Sequence, residues 1–193
     1  MRAYRVQSPK TQAVLAELRP PRPQAGQIGV RIGACGLNFA DLLMQRGEYQ
    51  DTPEAPFTLG MVEEIGEGVQ GHAVGERVAV FGGSGGLADY GVFDAARAVK
   101  IPDAMPDVDA AAIQIAYGTS HVALEHKARL QPGETLLVLG AAGGVGLTAV
   151  EIGKLMGATV IACARGAEKL QAAKAAGAEH LIDAKTEDIR AAV

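Results

Sequence analysis

The apolar positions of this chain change rhythm near residue 106. Before it, short apolar runs alternate with Gly and Pro, the punctuation of strands and turns. IGVRIGACG at 28–36 alternates as a strand does, and ERVAVFGG at 76–83 and LADYGVF at 87–93 read as two more strands around a Gly-rich turn. NFADLLMQRG at 38–47 breaks this pattern: Phe39, Leu42 and Leu43 stand at helical spacing and Gly47 marks a stop. The sum predicts a small, irregular antiparallel barrel over residues 1–106.

Residues 107–193 read differently. DVDAAAIQIAYGTSHVALEHKARL is alanine-rich, with Asp107 placed as N-cap, and predicts two helices interrupted near Gly118. After a turn at Pro132-Gly133, TLLVL at 135–139 is wholly apolar, as a parallel strand covered on both faces would be. A Gly-rich turn at 140–146 opens a helix to about Met156, with Val145, Ala149, Ile152 and Met156 as its apolar stripe. TVIACA at 159–164 is a second strand, AEKLQAAKAA at 167–176 a helix closed by Gly177, and HLID at 180–183 a third strand. Thr186 is placed to cap one more helix. This α/β alternation predicts the first three strands of a doubly wound parallel sheet, a partial Rossmann fold. Its first strand would be an open edge, so the sequence reads as truncated or as completed by a partner chain or a second copy.

The turn Gly140-Ala141-Ala142-Gly143-Gly144-Val145-Gly146 carries the candidate chemistry. Against the dinucleotide fingerprint, Ala141 stands at the first glycine, Gly143 at the second and Gly146 at the third. Gly143 would admit the pyrophosphate, Gly146 would let helix and strand pack closely, and the amides of Gly144 and Val145 would face phosphate, with Ala142 beside them in the turn. The plainer reading is a tight strand-to-helix turn without a ligand. At the end of the second strand an NAD site usually has a carboxylate for the ribose, whereas this chain has Ala164-Arg165-Gly166. Arg165, with Lys169 one turn later, suits a 2′-phosphate, which favours NADP (NADPH) unless both are ordinary solvated charges.

Composition narrows the class. Of 193 residues 48% are apolar, enough for a core, and the 25 glycines suit tight turns and close backbone approaches. The net charge of −4, with interspersed charges, gives no electrostatic reason to expect nucleic acid or an anionic membrane. No apolar run is long enough to span a bilayer, and MRAYRVQSPK lacks the apolar core of a signal peptide. Cys35 and Cys163 lie far apart with no metal-ligand spacing, which predicts a cytoplasmic, reduced protein without a metal centre.

Several segments together resemble one family. GLNFADLLMQRGEY (36–49), PFTLGM (56–61), IGEGVQGHAVGERV (65–78), GGLADY (85–90), AYGTSHVAL (116–124) and GAAGGVGLTAVEIGKLMGATVIA (140–162) occur in the order of the zinc-free quinone oxidoreductase branch of the medium-chain dehydrogenase/reductase superfamily. The resemblance implies a GroES-like catalytic domain over 1–106, then the N-terminal half of a Rossmann domain over 107–193, with the active site in the cleft between. It implies Asn38 near nicotinamide and substrate, Asp41 and Tyr49 shaping that side, and Tyr117 and Thr119 at the nicotinamide end. Asp41, Tyr49 and Thr119 also have plainer readings, as a helix-turn residue, a core aromatic and a helix-bend residue. Zinc-dependent relatives carry a cysteine ligand where this chain has Asn38, and their Gly-His-Glu segment here reads Gly60-Met61-Val62. The expectation is therefore zinc-independent hydride transfer from NADPH to a small quinone or enone. The alternative is a catalytically incomplete dinucleotide-binding or interaction subunit. GMVEEIGEGV also lacks several residues that relatives carry after PFTLG.

Overall fold

The structure is a computed structural model, and it describes residues 1–8, 10–50, 69–82 and 84–193, together with the backbone of 62–65. The PFTLGM segment and Met61 lie outside the described residues. The chain forms two compact units, Met1–Ala112 and Ile113–Val193.

The first unit is built of short antiparallel pairs. Strand β1 (Arg2–Arg5) pairs with β2 (Val14–Glu17), and β3 (Gln27–Arg31) lies between β4 (Val62–Ile65) and β6 (Tyr90–Asp94). Strand β5 (Val78–Val80) pairs with β7 (Ala98–Lys100). Alternation sends Ile28, Val30, Val78 and Phe93 into a common core. The Phe93 ring occupies space that glycines leave open: a Cβ at Gly82 or Gly91 would come within 2.7 or 2.6 Å of it. Gly82 and Gly91 are thus accounted for by packing. Helix α1 (Phe39–Arg46) matches its predicted span, with Asn38 at the N-cap and Gly47 left-handed at φ +68°.

Arg77 clamps the end of this unit. Its Nη1 donates to the Pro102 and Asp103 carbonyls at 3.0 and 2.7 Å, and its Nη2 to the Met105 carbonyl and Asp107 Oδ1 at 2.6 and 2.5 Å. Asp107 is therefore not the cap: it is the first residue of α2 (Asp107–Ala112). The Pro106 carbonyl instead accepts from the amides of Asp109 and Ala110, both at 3.1 Å.

In the second unit β8 (Thr135–Leu139), β9 (Thr159–Ala164) and β10 (His180–Asp183) form a parallel sheet in the order β10-β9-β8. All three match their predicted spans. Central β9 is the best buried, whereas β8 pairs only with β9 among the described residues and leaves Leu139 64% exposed. Among the described residues β8 is covered on one face only, where Leu136 and Val138 pack into the core, while Leu139 points to the other face, so the expectation of cover on both faces fails. The core is lined by small side chains, Ala141, Val150, Val160, Ala162, Ala173 and Ala178, which bring α4 (Gly144–Leu155) and α5 (Ala167–Ala175) close to the sheet.

Four further expectations are corrected. The helical residues from 113 show no break at Gly118; they run as a π-helical segment Ile113–Tyr117, helix α3 (Gly118–His121) and a second π-helical segment Val122–Ala128. The wider i→i+5 turns accommodate the chain without an interruption. Of the predicted stripe of α4, Ile152 is buried and Ala149 and Met156 pack against it, but Val145 is exposed; Thr148, Val150 and Gly153 are the other buried residues of the helix. Ala176 is the C-cap of α5, and Gly177 follows at φ +114°. Asp188, not Thr186, caps α6 (Ile189–Ala192), accepting the Arg190 amide at 2.9 Å.

Candidate dinucleotide site

The turn between β8 and α4 is fixed by its backbone. Gly140 is left-handed at φ +63°, the Ala141 amide donates to the Cys163 carbonyl of β9 at 3.1 Å, and the Gly143 amide donates back to Gly140 at 2.9 Å. Ala141 is fully buried in the core, which explains a methyl at the first fingerprint position. At Gly146 an added Cβ would collide with the Gly140 carbonyl oxygen and lie 2.8 Å from Ala141 Cα, so this glycine is required by the protein's own packing. At Gly143 the nearest atom to an added Cβ is Gly140 O at 3.4 Å, and the residue is exposed. Space there lies on the outside of the turn.

Gly143 is also the N-cap of α4 and offers no capping side chain. Among the described residues the first-turn amides of this 12-residue helix thus have no capping side chain, and the partial positive charge of the helix end favours an anion beside them. Ala142 is half-buried, and Gly144 and Val145 are exposed. Two residues absent from the sequence reading brace this end. Ser120 Oγ lies 2.9 Å from the Val145 carbonyl and 2.8 Å from Thr148 Oγ1, and Thr148 Oγ1 lies 3.0 Å from the Ala116 carbonyl. Both are buried, and hydroxyls buried on an apolar helix face need such partners. Nothing in the local sequence links two residues 28 positions apart.

Arg165, just past the end of β9, and Lys169, in the first turn of α5, are exposed and have no ion-pair partner among the described residues. Gly166, at φ +90°, is the N-cap of α5 and likewise offers no side chain. Asp183, at the end of β10, accepts the amides of Gly166 and Lys185 at 2.9 and 3.0 Å. These two bonds hold its carboxyl below the usual aspartate range. Asp183, unremarked in the sequence, thus fixes the loop that presents Arg165.

The remaining candidates sit as follows. Asp41 Oδ2 accepts the Asn38 amide at 2.6 Å, the reciprocal arm of a capping box, and both residues are half-buried. Tyr49 is half-buried just beyond α1. The Tyr117 hydroxyl donates to Glu151 Oε2 of α4, and Thr119 is exposed. Asp41 is engaged as a cap, and the Cys35 thiol is pushed up to about 11 by burial and by Asp41.

Residues 24–103 match the alcohol dehydrogenase GroES-like domain family, and residues 144–193 the zinc-binding dehydrogenase family. A GroES-like unit followed by a Rossmann-type parallel sheet defines the class, and the chain belongs to the medium-chain dehydrogenase/reductase superfamily. Within it the chain is quinone oxidoreductase-like, over a partial length. It is 42% identical over 171 residues to the quinone oxidoreductase-like protein 2 homolog of Nematostella vectensis, covering 85% of this chain and 47% of that protein. The quinone oxidoreductase structure from Pseudomonas syringae superimposes with a TM-score of 0.90 at 31% identity, over 100% of this chain and 61% of that one. That from Thermus thermophilus gives 0.81 at 34%, over 94% and 59%. The chain spans about half the length of the curated relatives it matches.

Proposed function

We propose that this chain carries the coenzyme turn and the catalytic-domain residues of an NADPH-dependent oxidoreductase that delivers a hydride, without zinc, to a quinone or conjugated carbonyl. The observation that carries the reading is the N-terminus of α4 without a capping side chain behind an exposed Gly143, with Arg165 just past β9 and Lys169 in the first turn of α5 lacking an ion-pair partner among the described residues. The Thermus thermophilus relative is described in complex with NADPH, which supports the choice of coenzyme. The amides of Gly144 and Val145 would hold the pyrophosphate beside Ala142, Gly143 and Gly146, and Arg165 with Lys169 would pair with the 2′-phosphate. When bound, the nicotinamide supplies the hydride.

The chain's own residues would then position and polarise the acceptor. Asn38 brings a neutral amide held at a helix N-cap, so it would donate to an acceptor oxygen as charge develops. Asp41 orients Asn38 through its backbone, and Tyr49 follows on the same segment. The Tyr117 hydroxyl, oriented by Glu151, and Thr119 are assigned to the nicotinamide end. The domain reading of 1–106 catalytic and 107–193 nucleotide-binding belongs to this proposal, as does zinc independence, which Asn38 supports. Two free cysteines, Cys35 and the buried Cys163, suit a reducing cytoplasm; among the described residues no helix is long and apolar enough to cross a membrane.

The test is a pair of titrations, NADPH and NADH, on the parent and on Arg165→Gln. NADPH affinity should fall by about tenfold or more, ~1.4 kcal/mol, with NADH unchanged. Equal losses for both coenzymes, or none, would refute the 2′-phosphate role. The edge position of β8 motivates a second reading, a chain that binds dinucleotide without turnover. Quinone-dependent NADPH oxidation by the purified chain separates the two.

A further inference from the structure

On the helical segment that follows Gly118, three side chains with metal-ligating atoms come together. His121 Nε2 lies 2.7 Å from Glu125 Oε2, and the imidazoles of His121 and His126 stand edge to face with centroids 6.0 Å apart. One ligand atom from each of His121, Glu125 and His126 lies within 4.8 Å of the others, and all three residues are exposed.

The backbone explains the grouping. In an α-helix a residue five positions on is about 140° round the axis, so His126 would face away from His121. Val122–Ala128 is π-helical, bonded i→i+5, and this places residue i+5 on the same face as residue i. Widened turns of this kind occur frequently at functional sites. The sequence spacing His-x3-Glu-His shows none of this, because a helical period of 3.6 separates the two histidines.

We propose that His121, Glu125 and His126 form a surface site for a divalent transition-metal ion of the zinc class. Two imidazoles and one carboxylate suit zinc better than calcium or magnesium, which take all-oxygen shells. Three protein ligands leave the fourth tetrahedral position to water. Bonds of about 2.0–2.2 Å put tetrahedral ligand atoms roughly 3.3–3.5 Å apart. The His121–Glu125 pair at 2.7 Å would open slightly and the widest separation, at most 4.8 Å, would close by rotation of exposed side chains. None of the three residues belongs to the dinucleotide turn or to the Arg165 and Lys169 pair.

The experiment is a Zn²⁺ titration of the full chain by calorimetry, repeated with Co²⁺ as a ligand-field probe. One equivalent should bind, with Co²⁺ giving the absorption of a four-coordinate nitrogen and oxygen site. His121→Ala and His126→Ala should each weaken Zn²⁺ by more than about tenfold, and Glu125→Gln by less. His180→Ala, an exposed histidine elsewhere, should change nothing. NADPH affinity should be the same in all four variants, so failure here leaves the coenzyme reading untouched. The proposal is overturned if no single equivalent binds, or if the His121→Ala/His126→Ala double variant, shown folded by circular dichroism, binds Zn²⁺ as the parent does.

Discussion

Helices α1 and α4 begin in opposite ways. At α1, Asn38 occupies the N-cap and Asp41 turns its carboxylate back onto the Asn38 amide at 2.6 Å, so side chains close the helix end. At α4, Gly143 stands at the cap with no side chain, and the turn behind it is held by backbone bonds and by the buried Ser120–Thr148 pair. A helix end that satisfies its own donors is finished as structure. One that leaves them open, while bracing itself from behind, is shaped for something that arrives later. The contrast also ranks the candidates: the carboxylate of Asp41 already serves its helix, whereas Gly143 serves the turn through its backbone alone and brings no side chain to the helix end.

The contrast can be broken at four points. Gly146→Ala drives a methyl into the Gly140 carbonyl, so it should cost about 1–3 kcal/mol in urea unfolding and abolish NADPH binding in a fluorescence titration. Gly143→Ser supplies the missing cap. It should raise stability by a few tenths of a kcal/mol, roughly the Gly-to-Ser difference at an N-cap, while weakening NADPH about tenfold; the two signs must be opposite. Asp41→Ala should cost about 1 kcal/mol in thermal unfolding, and Asp41→Asn, which keeps an acceptor, should restore it. Loss of turnover in a stable Asp41→Asn would give Asp41 a chemical role beyond its cap.

The smallest effect concerns acid. Backbone bonds from Gly166 and Lys185 depress the Asp183 pKa in the folded state. The stabilisation is present above the unfolded value of about 3.9 and is lost as pH falls through the lower folded value. Asp183→Asn should therefore be less stable than the parent near neutrality and converge with it below about pH 4. Parallel stability curves down to strong acid would show that the carboxylate's charge is irrelevant to that loop.

How much of this was readable beforehand depended on the kind of interaction. The spans of β8, β9, β10 and α1 follow from uninterrupted local patterns, bounded by Gly or Pro, that nothing distant overrides. The fingerprint turn was legible because its glycines do separate jobs at fixed spacing. The stretch 113–128 was misread because π-helical turns shift the period on which the pattern depends. That shift also hid the cluster of His121, Glu125 and His126. The roles of Ser120, Thr148 and Asp183 were invisible, since each is defined by a partner at least 17 residues away. Thr186 lost its capping role to Asp188, two residues on, by a competition between neighbours that composition alone does not decide.

The bond from Tyr117 to Glu151 gives the molecule an optical signature. The chain has four tyrosines and no tryptophan, so its ultraviolet emission comes from phenols alone. A phenol that donates to a carboxylate surrenders its proton readily in the excited state and emits weakly. Tyr117 should therefore emit weakly while the segment that carries it stays docked on α4, and brighten when that contact opens, as tyrosine emission followed through urea unfolding would check. Its emission would report on the contact with Glu151 of α4, the helix whose N-terminus is proposed to face the dinucleotide.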